Sequence, residues 1–151
     1  MQNTSRIIGK YKGEKNGTLL LVTAGVHGNE PSGVNALKNV FSQLEKSNAK
    51  IKGTFIGVVG NLKSLQKNER FIDEDLNRTW TKENLEKEQA SSSEQMEMKE
   101  IISILENYSN QDFPDKYFID CHSTSSDSLP FISVQVVGKN DEFAQRFPTY
   151  I

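Results

Sequence analysis

Apolar positions along this chain fall into short runs separated by polar turns, and the spacing inside each run predicts the element it forms. Residues 19–22 (LLLV) are an unbroken apolar run, the pattern of a strand buried on both faces. It empties into the small-residue turn Ala24-Gly25, which presents His27 and Glu30. Pro31 then suits the first position of a helix, where its missing N–H costs nothing. Val34, Leu37, Val40, Phe41 and Leu44 recur at helical spacing and predict an amphipathic helix over 31–46, ended by Ser47-Asn48. Residues 54–59 (TFIGVV) form a second apolar strand closed by Gly60-Asn61. Strand, helix and strand in that order are the sign of a βαβ unit in a largely parallel sheet. Upstream, 6–11 reads as a first strand, with Glu14-Lys15-Asn16-Gly17 as a hairpin turn leading into Leu19.

Beyond Asn61 the periodicity weakens. Residues 61–80 read as a short helix and then a loop, FIDEDLNRTW, too polar to be core. Residues 81–110 are charged and helix-favouring, interrupted at Ser91-Ser92-Ser93. Ser91 with Glu94 makes a capping box, and Met98, Ile101, Ile102 and Leu105 supply the buried face of the helix that follows. The charges of this segment read as a solvated face. Pro114 breaks the pattern, and 117–121 (YFIDC) is a third core-type strand, emptying into His122-Ser123-Thr124-Ser125-Ser126. A fourth strand is predicted over 131–137, and Asn140 caps a short helix through Phe147. The expected fold class is α/β, a mostly parallel or mixed sheet flanked by helices, in a single domain over 1–151. The apolar tail Phe147-Pro148-Thr149-Tyr150-Ile151 predicts a sheet cut short on its C-terminal side. Either a homo-oligomer covers its exposed edge or the chain is poorly soluble.

Composition narrows the function classes. The chain has 151 residues, 25% charged and 35% apolar, with a mean hydropathy of −0.58, the profile of one soluble, rather polar domain. A net charge of −2 gives no reason to expect nucleic acid or an anionic membrane as partner. No apolar run is long enough to span a bilayer, and MQNTSRIIGK lacks the apolar core of a signal peptide. The one cysteine, Cys121, forms no internal disulfide, which fits a reducing, cytoplasmic setting.

Both histidines of the chain, His27 and His122, fall just past the end of a strand predicted to be buried. If those strands are neighbours in a parallel sheet, both imidazoles reach one edge together with Glu30. Two neutral nitrogens and a carboxylate leave a fourth zinc position for water, the ligand set of a hydrolytic site. The plain alternative is a pair of hydrogen-bonded surface histidines beside a chance H-x-x-E. Asp120 shares a strand face with His122 and is placed to orient its imidazole, with a direct ligand role or an arginine partner as alternatives. Cys121 points the other way, so a Cys121–His122 nucleophile pair is geometrically poor and a packed core thiol is expected. Arg70, Asp73, Asp75, Asn77 and Arg78 crowd into NERFIDEDLNR, a stretch that taken alone reads first as a solvated loop with local Asp–Arg pairs and second as a carboxylate- or oxyanion-binding loop.

GVHGNE, then DLNR, then DCHST, in that order and at these separations, resemble the succinylglutamate desuccinylase/aspartoacylase family, zinc amidohydrolases related to the metallocarboxypeptidases. The resemblance runs from about Leu19 to Val137 and implies a zinc-carboxypeptidase-like fold. It implies one Zn2+ on His27, Glu30 and His122, with Arg70 polarising the scissile carbonyl and Asn77 and Arg78 binding the substrate carboxylate. Asp75 would buttress the loop. The implied reaction is hydrolysis of a small-molecule N-acyl amino acid to a carboxylate and a free amino acid. A metallocarboxypeptidase-type peptide hydrolase and a non-catalytic carboxylate-binding module are the alternatives. The family carries a catalytic glutamate on a strand well downstream of the second histidine motif. Here the only glutamate after His122 is Glu142, in a predicted helix, so weak or absent turnover by this chain alone is expected.

Overall fold

The computed structural model of the chain describes residues 5–109, 113–124, 126–135 and 137–150, with the side chains of residues 15, 16 and 109 outside that set. Its centre is a four-stranded sheet of β1 (Ile7–Lys12), β2 (Glu14–Ala24), β3 (Lys52–Val59) and β4 (Lys116–Cys121) in the order β1-β3-β2-β4. β2 runs parallel to both β3 and β4, while β1 is antiparallel to β3. This is the mixed α/β sheet expected from the sequence.

The apolar run in β2 is buried from both sides. Leu20, Val22 and Ala24 face α1 (Ser32–Ser47), where they meet Val34, Leu37 and Phe41. Leu19 and Leu21 face the other way with Ile56 and Val58, against Ile104 and Leu105 of α5 (Ser93–Ser109). Each fully buried leucine, isoleucine or valine here contributes about 1.5–3 kcal/mol. In α1 the buried stripe is narrower than predicted, because Val40 lies at its margin and is 41% exposed. Asn48 in the left-handed conformation ends the helix, with its N–H on Glu45 O and the next N–H on Leu44 O.

Four expectations fail, each for a physical reason. The hairpin over 14–17 does not form: β1 and β2 lie on opposite sides of β3. The apolar run of β3 is buried along most of its length and takes a strand on each side, so the chain crosses its start at Gly13, whose N–H goes to Gly53 O. The crossing appears in β2 as a register shift between Glu14 and Thr18. Second, β4 is an edge strand rather than one buried on both faces, and Phe118 is 53% exposed. Third, the stretch 131–137 is not a strand. Among its described residues only Phe131 bridges to Tyr150, and position 136 lies outside the described set. A strand needs a ladder of partners, and the described residues place none beside it. Fourth, Asn140 does not cap α6 (Asn140–Ala144). Lys139 occupies that position, and the Asn140 side chain donates to Gln135 O.

The charged segment departs furthest from its reading. α4 (Lys82–Glu86) is exposed as expected, but Glu94, Gln95 and Glu97 at the start of α5 are buried. The capping pair is Ser92 with Gln95, one position along from Ser91 and Glu94: Ser92 Oγ accepts the Gln95 N–H at 3.1 Å. Glu94 and Glu97 point inward because loops that lack a strand ladder cross this end of the helix. Glu97 accepts the N–H groups of Leu62 and Lys63 at the start of α2 (Leu62–Lys67) and pairs with Arg6. The position 110 end of the predicted helical segment lies outside the described residues. Among the described residues no helix is long and apolar enough to cross a membrane.

Candidate metal centre

β2 and β4 are adjacent and parallel, with Ala24 beside Cys121, so the turns that follow them open on one edge of the sheet. Gly25, at φ 70, takes the left-handed conformation and redirects the chain out of β2. Gly28 follows His27 at a place with no room for a side chain, since an added Cβ would lie 2.1 Å from the Ser64 carbonyl carbon. Its N–H donates to Arg70 O at 3.2 Å, tying the histidine turn to the loop that carries Arg70.

His27 is buried, and its Nδ1 lies 2.9 Å from Glu30 Oε1. His122 Nδ1 lies 3.6 Å from the other oxygen, Glu30 Oε2, and the two rings are 5.3 Å apart. One donor atom from each of His27, Glu30 and His122 falls within 4.8 Å of the other two. Each imidazole therefore turns Nδ1 towards the same carboxylate. Each also turns Nε2 onto an aspartate: His27 onto Asp75 Oδ1 at 3.2 Å, His122 onto Asp120 Oδ2 at 2.7 Å. Such partners fix a ring and its tautomer and leave the opposite nitrogen free to bind a metal. Two imidazoles, one carboxylate ligand and two flanking carboxylates form a donor set of net negative charge, which suits a dication.

The surroundings shift the charges further. Burial is the largest effect on Glu30 and raises its pKa. The Ser123 N–H at 2.9 Å, together with His27 and His122, outweighs it and holds the carboxyl below its ordinary value. Asp75 follows the same pattern: burial raises it, and the Asn77 N–H, His27 and Arg70 bring it below the usual range. The hydrogen bond to Asp120 raises His122 above an ordinary histidine, against an opposing effect of burial. Cys121 faces the α1 core, where burial and then the Asp120 charge push its thiol up.

Arg70 is half exposed, with its guanidinium 3.7 Å from Glu30 Oε1 and 3.5 Å from Asp75 Oδ2. Asp75 caps α3 (Leu76–Thr79) by accepting the Asn77 N–H at 3.0 Å. The loop is less polar in space than in sequence, since Leu76 and Thr79 are fully buried. Asn77 and Asp120 share the wall of a pocket of about 310 Å³ otherwise lined by Thr23, Val26, Trp80, Ile101, Leu105 and Phe118. Arg78 is exposed on α3.

Two contributors escape sequence reasoning. Thr23 Oγ1 donates to Asp120 Oδ1 at 2.6 Å, leaving the other oxygen for His122. The pairing depends on Thr23 lying beside Asp120 in the β2–β4 register, which no local pattern encodes. Glu94 accepts the N–H groups of Ile72, Asp73 and Glu74 just ahead of Asp75. Its signal was available: Glu94 stands at helical spacing with Met98, Ile101 and Leu105, on the apolar stripe.

Known proteins resemble this chain in sequence and in fold. The sequence pattern of the "Succinylglutamate desuccinylase/Aspartoacylase catalytic domain" matches residues 16–147. A probable aspartoacylase of Nostoc sp. is 31% identical over 132 residues, 86% of this chain and 42% of that protein. A succinylglutamate desuccinylase of Pseudomonas fluorescens is 28% identical over 72% of this chain and 31% of its own length. An N-acyl-aromatic-L-amino acid amidohydrolase (carboxylate-forming) of Xenopus laevis is 30% identical over 87% of this chain and 42% of its own. The chain thus spans less than half the length of these relatives. In structure, the succinylglutamate desuccinylase of Vibrio parahaemolyticus superposes with a TM-score of 0.63 over 75% of this chain and 38% of that one, at 18% identity, a likeness of fold. With residues 16–147 matched, nearly its whole length, the chain belongs to the succinylglutamate desuccinylase/aspartoacylase family.

Proposed function

We propose that this chain forms the zinc-binding half of an N-acyl amino acid amidohydrolase, with His27, Glu30 and His122 as the metal ligands. The observation that carries the reading is the convergence of both Nδ1 atoms on Glu30 while both Nε2 atoms are held by aspartates. Zinc held by these residues would supply Lewis-acid chemistry, lowering the pKa of water so that a nucleophile is available near neutral pH.

The chain's own residues do the remaining work. The half-exposed Arg70 guanidinium stands beside Glu30, where it donates to the carbonyl oxygen of the substrate as negative charge builds there. Asn77 and Arg78, presented by α3, anchor the carboxylate of the amino-acid part through charge-assisted hydrogen bonds. Asp75 joins the two halves: one oxygen meets His27 and the Asn77 N–H, the other Arg70. Thr23 holds Asp120, and Asp120 holds His122. Proton transfer to the leaving amine requires a further acid. The only glutamate after His122 is Glu142, on α6, and we assign it no part in the reaction. The purified 151-residue chain is therefore expected to bind zinc and to turn over N-acyl amino acids slowly or not at all. Its single cysteine, a free thiol packed in the core, accords with a reducing cytoplasmic setting.

Metal analysis after zinc loading and gel filtration tests the site. The wild-type chain is expected to retain one equivalent, and His122→Ala and Glu30→Ala to retain little. Equal retention by all of them would overturn the assignment. A panel of N-succinyl-L-glutamate, N-acetyl-L-aspartate, N-acetyl aromatic amino acids and C-terminal peptide substrates, titrated onto the zinc-loaded chain, separates a deacylase site from a peptidase site.

A further inference from the structure

Glu94 is fully buried, yet no cation lies within ion-pair distance of it among the described residues. Its carboxylate is satisfied by amides instead. Oε1 accepts Asn61 Nδ2–H at 2.9 Å and the Ile72 N–H at 2.8 Å. Oε2 accepts the N–H groups of Asp73 at 3.0 Å and Glu74 at 3.2 Å. Three consecutive backbone donors converge on one anion, in a loop that has no strand ladder to receive them. Ile72 and Glu74 are half-buried, and without Glu94 these three donors would lose the acceptor that the fold gives them.

The loop answers with side chains of its own. Asp73 Oδ2 accepts the Ser93 N–H at 2.7 Å, and Glu74 Oε1 accepts from Ser92 Oγ and from Gln95 Nε2. Asn61 continues the chain of contacts in the other direction, because its own N–H donates to Gly25 O at 2.9 Å in the turn that leads to His27. Glu94 therefore touches the metal turn on one side, through Asn61, and on the other the loop that runs from Arg70 into Asp75, Asn77 and Arg78.

We infer that Glu94 is a positioning residue that holds the 72–74 loop, and with it Asp75, Asn77 and Arg78, at a fixed distance from the His27–Glu30–His122 centre. The inference rests on the reading of Asn77 and Arg78 as the substrate anchor. It predicts that binding of the substrate carboxylate depends on Glu94 far more than metal binding does, because His27, Glu30 and His122 follow the ends of β2 and β4, and Asp75, the loop residue that meets His27, is also held by its own cap on the Asn77 N–H.

The test uses the zinc-loaded chain, Glu94→Gln and Glu94→Asp. Zinc retention, titration with N-acetyl-L-aspartate and N-succinyl-L-glutamate, and amide hydrogen exchange at residues 72–74 and 77–78 are read on each. Glu94→Gln sets an NH2 group against N–H donors. It is expected to keep one zinc, to exchange at 72–74 at least tenfold faster, and to bind tenfold or more weakly whichever probe the wild type binds. Glu94→Asp, which keeps the charge on a side chain one methylene shorter, is expected to recover part of both losses, and it carries the same test should the glutamine variant not fold. Unchanged exchange and unchanged probe binding in a folded Glu94→Gln would overturn the inference, as would zinc and probe affinity falling together. If the wild type binds neither probe, the reading of the anchor fails, and the exchange rates at 72–74 still decide whether Glu94 holds the loop.

Discussion

Leu76→Ala tests whether the DLNR segment is part of the core. Leu76 is fully buried between Val26 and Met98, with Ile102 packed against the group. Its neighbours come from the metal turn and from α5, two elements fixed by other contacts, so the space left by truncation cannot close easily. Loss of the transfer free energy plus a residual cavity costs about 2–5 kcal/mol at such sites, and limited collapse points to about 3 kcal/mol here. For a chain of this size each kcal/mol is about 2–4 °C in Tm, so a fall of roughly 6–12 °C is expected. Urea melts measure the free energy and thermal melts the Tm, each followed by far-UV CD and by fluorescence of Trp80. Trp80 is the only tryptophan and lies directly after α3, so it reports on this segment while CD reports on the whole. Val40→Ala, on the exposed margin of α1, is the control and is expected to stay within about 0.5 kcal/mol. A Leu76→Ala cost below about 1 kcal/mol, beside a silent control, would show that the segment is a solvated loop after all.

Other predictions follow from single contacts. Gly28→Ala drives a Cβ into the backbone of α2, with the nearest atoms 2.1–2.3 Å away, and is expected to cost several-fold in zinc affinity and more than about 2 kcal/mol in stability. A folded variant with wild-type zinc retention would contradict that packing. Asp120→Asn keeps the acceptor for Thr23 but removes the charge beside His122. Zinc affinity by competition with a chelator should fall about 10–100-fold with Tm nearly unchanged. In the fold the Glu94 carboxyl lies below its ordinary value of 4.5: burial raises it, and the 72–74 amides with Asn61 more than offset that. Its stabilisation is thus present above the unfolded-state pKa and lost as pH falls through the folded one. The stability gap between wild type and Glu94→Gln is therefore widest near neutral pH and narrows below about pH 4.5; a gap constant from pH 7 to pH 3 in urea melts would refute this. Cys121, with its thiol raised by burial, is expected to alkylate with iodoacetamide much more slowly in the folded chain than in urea.

The parts legible in the sequence are those whose partners are implied by local periodicity. LLLV, the α1 stripe and TFIGVV specify a βαβ unit, and a parallel unit delivers its strand ends to one edge. That is why His27, Glu30 and His122 could be brought together on paper from two strands far apart in the chain. What stayed hidden depends on register or on satisfaction of backbone groups. Thr23 meets Asp120 only because β2 and β4 align at that rung. The hairpin at 14–17 looked sound from its turn residues, but pairing is decided by which strand most needs two neighbours, and that is β3. The strand expected over 131–137 finds, among the described residues, only the single bridge from Phe131 to Tyr150 and no ladder to join.

Glu94 shows why composition misleads in the charged half. An acidic helix start is ordinarily solvated, and nothing in its charge distinguishes Glu94 from Glu83 or Glu86 on exposed α4. The difference lies in what crosses the helix. Among the described residues between β3 and β4 the chain forms no strand, so the backbone donors at 62–63 and 72–74 have no sheet to enter. A carboxylate accepts several of them at once and, through its charge, more strongly than a neutral acceptor. Glu97 does this for the first turn of α2 and Glu94 for the loop ahead of α3. The two halves of the proposed site are thus held by different physics: His27, Glu30 and His122 by a parallel sheet, Asn77 and Arg78 by buried anions on one helix face. Truncation of the apolar residues that pack the sheet should therefore move metal binding and stability together, whereas substitutions on that helix face should separate them.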